Sequence, residues 1–225
     1  MIKHIINILY PKKCTACSEI LKNIDNFFCD ECITLLNFSP LCECFVKYNE
    51  CRNCKNNIFE KNISSFAYTG LSQDLIYKLK YGKRANIAKG MSFAMLKSIG
   101  GDIFRNSDYI VPIPVHRNRL KSRGFNQAYL IALGITKILK IQKPTNLIFR
   151  IKDTKPLASL SPSSRINMLE DAFYISKKYD IQGKTILLVD DIFTTGSTLN
   201  TCANILYKNG AKSVMAATFA IVKPK

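Results

Sequence analysis

The chain has 225 residues, 47% of them hydrophobic, and carries a formal charge of +17 from 33 Lys and Arg against 16 Asp and Glu. That length suits one medium domain plus a small one, and no apolar run reaches the ~20 residues needed to cross a bilayer. The charge favours polyanionic partners and salt-sensitive binding.

In chain order, Ile5 to Tyr10 is short, lacks a small-residue cleavage site and stops at Pro11, so it reads as a short packing helix rather than a signal peptide. A soluble cytoplasmic protein is the expectation. Eight of the nine cysteines then fall between positions 14 and 54: Cys14 and Cys17, Cys29 and Cys32, Cys42 and Cys44, Cys51 and Cys54. A two-residue spacer lets both thiolates of one turn reach one tetrahedral zinc ion, so the four pairs suggest two structural zinc sites of four cysteines each. Consecutive grouping gives 14/17/29/32 and 42/44/51/54, and a cross-braced arrangement would mix them. Cys42 and Cys44 have a single residue between them. The lone Cys202 reads as a small buried apolar residue.

The polar run Lys55 to Asn62 reads as a linker, and Ser65 to Tyr68 as a short strand. Ser72 to Lys80 has helical spacing at Leu75, Ile76 and Leu79, with Ser72 as cap. Ile87 to Ile99 is a second helix, ended by Gly100 and Gly101. Tyr109 to Pro114 is a strand broken by prolines, and the basic stretch His116 to Gln127 leads to a helix over Asn126 to Lys140. Three of only eight arginines, Arg117, Arg119 and Arg123, fall in that stretch. The guanidinium fork suits phosphate oxygens better than the ammonium of lysine, which makes this cluster more informative than the total charge. His116 on its own reads as a packing or surface residue more readily than as a base. Leu147 to Ile151 and Ala172 to Ser176 are short strands, and Thr185 to Asp190 and Val214 to Val222 longer ones. Alternating strands and helices predict an α/β domain with a mainly parallel sheet and helices on both faces. Ligands of such sheets lie beyond the carboxyl ends of the strands.

One segment carries most of the chemistry. Ile186 to Val189 is an apolar strand, Asp190 and Asp191 follow, and Thr194, Thr195, Gly196, Ser197 and Thr198 lead into a helix from Leu199 to Asn209 that Gly210 stops. Small residues entering a helix leave backbone N–H groups unpaired and aimed at one point, where the helix dipole favours an anion. The segment is built as a seat for a phosphate monoester, with carboxylates nearby for sugar hydroxyls.

This string resembles the phosphoribosyl pyrophosphate (PRPP) motif of type I phosphoribosyltransferases. The resemblance implies that Asp190 and Asp191 hold the ribose hydroxyls and that Thr194 to Thr198 hold the 5′-phosphate, with Mg²⁺ bound alongside PRPP. The N-terminal cysteine pairs, Leu79-Lys80-Tyr81-Gly82, Val111 to His116, Arg123 to Ala128 and the PRPP-type string together resemble the ComF family of competence-associated, phosphoribosyltransferase-like proteins. In the segment Thr154 to Phe173, Leu157 and Met168 depart from the family pattern, while Leu160, Ser161 and Arg165 fit it.

The resemblance implies a zinc-ribbon module over residues 1–60 and a transferase-like domain over 61–225. It also implies a cytoplasmic role in DNA uptake during natural transformation, with single-stranded DNA and the uptake machinery as partners. Basic residues together with Phe125, Tyr81 and the aromatics of the zinc module would track and stack an unpaired strand. The other expectation is an active transferase. It would displace pyrophosphate from PRPP, with Arg117, Arg119 or Arg123 neutralising the leaving group and Asp190 and Asp191 positioning the ribose. Nothing in the sequence identifies an acceptor.

Overall fold

Ile186 to Val189 must satisfy two apolar cores at once. Side chains alternate across a strand, so Leu187 and Val189 enter one core while Ile186 and Leu188 enter the other. All four are fully buried, which explains an unbroken apolar run where a half-buried strand would alternate. The structure is a computed structural model that describes residues 11–23, 26–36, 57–152 and 172–222. The expected helix over Ile5 to Tyr10, the Cys42, Cys44, Cys51 and Cys54 set and the departures at Leu157 and Met168 lie outside these residues.

The strand is β5 (Thr185–Phe193) in a parallel four-stranded sheet, with β1 (Asn62–Ala67), β2 (Tyr109–Pro112) and β6 (Ser213–Ile221). The spatial order is β1-β6-β5-β2. Helices α2 (Gly70–Tyr81), α3 (Ile87–Ile99) and α6 (Gln127–Leu139) cover one face, with α4 (Asp102–Arg105) after α3. Helix α7 (Ser197–Lys208) covers the other, beside an antiparallel ribbon of β3 (Ile148–Arg150) and β4 (Phe173–Ile175). Preceding these are α1 (Asp30–Leu35) in the cysteine region and, between β2 and α6, α5 (Arg117–Arg123).

Several boundaries move for local reasons. Helix α2 starts before Ser72 because Thr69 is its N-cap, and Ser72 instead lies in the first turn, where its hydroxyl accepts from the Thr69 amide at 3.2 Å. Residues 57–61, expected as linker, are fastened to the α/β domain ahead of β1: Ile58 N donates to Asn200 Oδ1, Glu60 N to the Val214 carbonyl, and Phe59 is fully buried. The basic stretch after β2 is not a loop. It forms α5, capped by the buried His116, whose Nδ1 accepts from Asn118 N at 3.3 Å, and closed by Gly124 at φ +85°. β5 runs three residues past Asp190 because β6 continues beside it, Ile192 opposite Ala220 and Phe193 opposite Ile221. β2 stops opposite Val189, so the acid pair lies just where its neighbour on that side ends.

Candidate functional site

The two acids follow the alternation of β5. Asp190 lines a small hollow with Ile192, Phe193 and the loop from Thr194 to Leu199. Asp191 projects to the other face and is nearly buried, 5% exposed. There it meets Lys80 from the last turn of α2, Nζ to Oδ2 at 2.7 Å. That contact is an ion pair by distance but lies off the hydrogen-bonding direction. The Asp191 amide donates back to Asp190 Oδ1 at 2.8 Å, tying the carboxyl to the strand. Burial, and then the charge of Asp191, push the Asp190 carboxyl well above the usual carboxylate range against the opposing pull of Lys80.

The loop has the geometry of an anion seat. Gly196 takes φ +72° at the start of α7, and a Cβ there would sit 3.0 Å from both Asn57 Oδ1 and the Phe193 ring. Only glycine fits both the backbone conformation and the space. Thr194, Thr195 and Ser197 are exposed, and Thr195 Oγ1 and Ser197 Oγ are 2.8 Å apart. Among the described residues the amides of Thr194, Thr195, Gly196 and Thr198 have no protein acceptor, while Ser197 N reaches only Thr195 Oγ1 at 3.4 Å. The α7 dipole points its positive end at this loop. The hollow is about 60 Å³ in this conformation, the size of a few atoms rather than of a whole nucleotide.

The three arginines do not form one cluster. Arg119 and Arg123 stand four apart on α5 and share a face. Arg123 lies 5.6 Å over the Tyr81 ring and donates to Gln127 Oε1 at 3.2 Å. Arg117 lines a separate groove with Leu120, Phe125, Tyr129 and Phe149. In the sequence, Leu79-Lys80-Tyr81-Gly82 gives Lys80 no evident task. The structure uses that stretch to join the acid strand to the basic helix, through Lys80–Asp191 on one side and Tyr81–Arg123 on the other. The available signal was a lysine in the last turn of an amphipathic helix, which by itself does not say which strand end it meets.

Cys14 and Cys17 flank one turn, Cys29 precedes α1 and Cys32 lies in its first turn; the four Sγ atoms lie within 4.8 Å of one another. This is a donor set for one tetrahedral metal ion. Burial pushes the Cys14 thiol up, but amide donors from Cys17, Cys29 and Ala16 outweigh it and hold the value at about 7. The Cys29 amide is 3.4 Å from Cys14 Sγ. Burial and the neighbouring thiols push Cys32 far above the ordinary thiol range. Four thiols this close cannot all ionise without a cation between them, and the cluster fits such an ion. The described part of the cysteine region, residues 11–23 and 26–36, packs onto the α/β domain. Leu21, Phe28 and Leu36 share a core with α2 and α3, the Phe27 ring lies tilted against Phe93 at 5.4 Å, and Thr15 fills the space left by Gly90. Lys78 of α2 donates to the Ala16 carbonyl at 3.4 Å.

A model of the phosphoribosyl transferase domain matches residues 123–224. The DNA utilization protein YhgH of Escherichia coli K12 is 28% identical over 207 residues, 89% of this chain and 86% of that protein. YhgH of Salmonella typhi is 30% identical over 162 residues, 69% of this chain and 70% of that protein. Competence protein ComFC of Bacillus subtilis is 24% identical over 215 residues, 94% of this chain and 84% of that protein. Among solved structures, a purine phosphoribosyltransferase from Pyrococcus horikoshii overlaps 58% of this chain and 70% of its own, with 20% identity and a TM-score of 0.35. No helix among the described residues is long and apolar enough to cross a membrane.

Proposed function

Starting from the fact that the chain belongs to the ComF family, we propose that it is a cytoplasmic accessory of DNA uptake that handles incoming single-stranded DNA and keeps a PRPP-type site. The observation that carries this reading is the loop from Thr194 to Thr198, whose unpaired amides and exposed hydroxyls converge beside Asp190 at the start of α7. On this reading the loop holds a ribose 5′-phosphate, and Asp190, the acid that faces the hollow, binds the ribose and the Mg²⁺ that accompanies PRPP, while Asp191 positions the strand end through Lys80. Bound Mg²⁺ supplies neutralisation of pyrophosphate charge. Arg119 and Arg123, on one face of α5, supply fixed positive charge on the segment after the neighbouring strand, while Arg117 faces its own groove. The match of named relatives to DNA utilization and competence supports the DNA partner.

The cysteine region takes zinc in a structural role, with Cys14, Cys17, Cys29 and Cys32 as one site and Cys42, Cys44, Cys51 and Cys54 as a second. Residues 1–60 contain that module, their last residues Ile58 and Glu60 already bonded to the transferase-like domain that residues 61–225 form. A second reading is favoured by the position of Asp190 at the hollow: an active transferase. The C1–oxygen bond to pyrophosphate breaks, the pyrophosphate leaves with the bonding pair, and an acceptor nucleophile forms the new bond at C1. Asp190 would then face the positive charge that develops on the ribose ring.

A thermal-shift titration separates the readings. Mg–PRPP and a short oligonucleotide are added singly and then in competition. Stabilisation by both supports the accessory role with a retained site. Stabilisation by Mg–PRPP alone favours the transferase, and a shift with neither rejects both.

A further inference from the structure

Helix α2 packs with one stripe, Leu75, Ile76 and Leu79, all buried. Tyr77 and Tyr81 lie outside that stripe, each 63% exposed, one turn apart, with ring centroids 5.0 Å from each other. Scattered surface aromatics need no explanation. A pair of contacting, mutually tilted rings with a guanidinium over one of them is a different object, because Arg123 stands 5.6 Å from the Tyr81 centroid. The chain continues from Tyr81 into an exposed basic turn, Lys83 and Arg84. Asp74, one turn before Tyr77, places a negative charge at the other end.

We propose that Tyr77 and Tyr81 form a stacking platform for the bases of a single-stranded nucleic acid, with Arg123, Lys83 and Arg84 along its sugar-phosphate backbone. The proposal rests on the single-strand reading above and says where on the molecule the strand runs. Aromatic faces flanked by cations are what an unpaired strand needs, since every base has a face to stack and every link a charge to neutralise. Duplex DNA, with its bases already stacked, gains nothing from the rings. The platform is separate from the phosphate loop, but the two are joined through one helical turn. Lys80, between Tyr77 and Tyr81 in sequence, points inward to Asp191. A strand lying on the tyrosines therefore bears on the helix end that holds the acid pair.

The test is oligonucleotide affinity of the full zinc-loaded protein against salt, for the wild type, Tyr77→Ala, Tyr81→Ala and the double variant. Each tyrosine should be worth about 5- to 150-fold, the ~1–3 kcal/mol of one stacked base, with the salt slope unchanged. Both side chains are exposed, so the variants should fold, and an unchanged melting temperature serves as the control. The chain contains no tryptophan, so Tyr77→Trp adds a single reporter whose emission should be quenched by single-stranded and not by duplex DNA. If the wild type binds the oligonucleotide and the double variant binds equally well, the platform is wrong while the single-strand reading stands. If the wild type binds no oligonucleotide, the single-strand reading itself fails. A change in sedimentation of the free protein without a change in DNA affinity would assign the tyrosines to contact with a second copy of the chain and overturn the proposal.

Discussion

Replacing Lys80 by Met tests the link between α2 and the acid strand. The side chain of Asp191 is 7% exposed and that of Lys80 19%, so the pair is largely but not wholly desolvated. Removing one partner of a fully buried pair costs about 3–5 kcal/mol, because the other charge is left without compensation. The residual exposure of Lys80 lowers the expectation to about 2 kcal/mol. For a chain of this size that corresponds to a fall in Tm of roughly 4–8 °C. Calorimetric unfolding of Lys80→Met, Asp191→Asn and the double variant closes a cycle. The double variant should recover most of the loss, since an amide beside a thioether leaves no orphaned charge. A Lys80→Met protein within about 0.5 kcal/mol of the wild type, or a double variant no better than the sum of the singles, would refute the assignment of Lys80 as the partner of Asp191.

Other outcomes follow from the same geometry. The raised Asp190 carboxyl means that the folded state favours its protonated form, so its contribution to stability is complete below the unfolded value of ~3.9 and is lost as pH rises toward the folded value. Asp190→Asn should match the wild type in Tm near pH 4 and exceed it at pH 7, while Mg–PRPP binding is lost; a variant less stable at pH 7 would contradict this. Chelation of zinc should unfold the cysteine module and also weaken Mg–PRPP binding, because the module shares a core with α2 and α3; intact circular dichroism after metal removal would reject the structural role. Arg119→Ala with Arg123→Ala should flatten the logarithmic salt slope for a single-stranded oligonucleotide by about 1.4, or ~0.7 for each phosphate that is no longer neutralised. An unchanged slope would place the strand elsewhere.

How far the sequence could be read depended on whether the signal was local. Helix α3 was legible at both ends because Ile87 starts the apolar pattern and Gly100 takes φ +76° after it. The loop over Thr194 to Thr198 was legible because its glycine and hydroxyl residues are consecutive in the chain. Spacing alone left both groupings of the eight cysteines open, and the four Sγ atoms of Cys14, Cys17, Cys29 and Cys32 lie within reach of one another. Elements fixed by distant partners were harder. Residues 57–61 look like linker until Val214 and Asn200, far along the chain, supply their hydrogen-bond partners. The stretch from Arg117 to Arg123 has a weak helical signal of its own, and a buried histidine cap and a left-handed glycine settle it. Lys80 had no visible role because its partner Asp191 lies far along the chain, a pairing created only by the sheet order.

The phosphate seat is tested most directly by isothermal titration of Mg–PRPP into the wild type and into Thr195→Val with Ser197→Ala. These substitutions remove two exposed hydroxyls that bond chiefly to each other and leave the strand and helix intact. Saturable one-site binding to the wild type, weakened at least about tenfold in the variant for the loss of ~1.4 kcal/mol or more of charge-assisted hydrogen bonding, is the predicted result. Equal affinity in the two proteins, or no heat from the wild type at millimolar ligand, would contradict it.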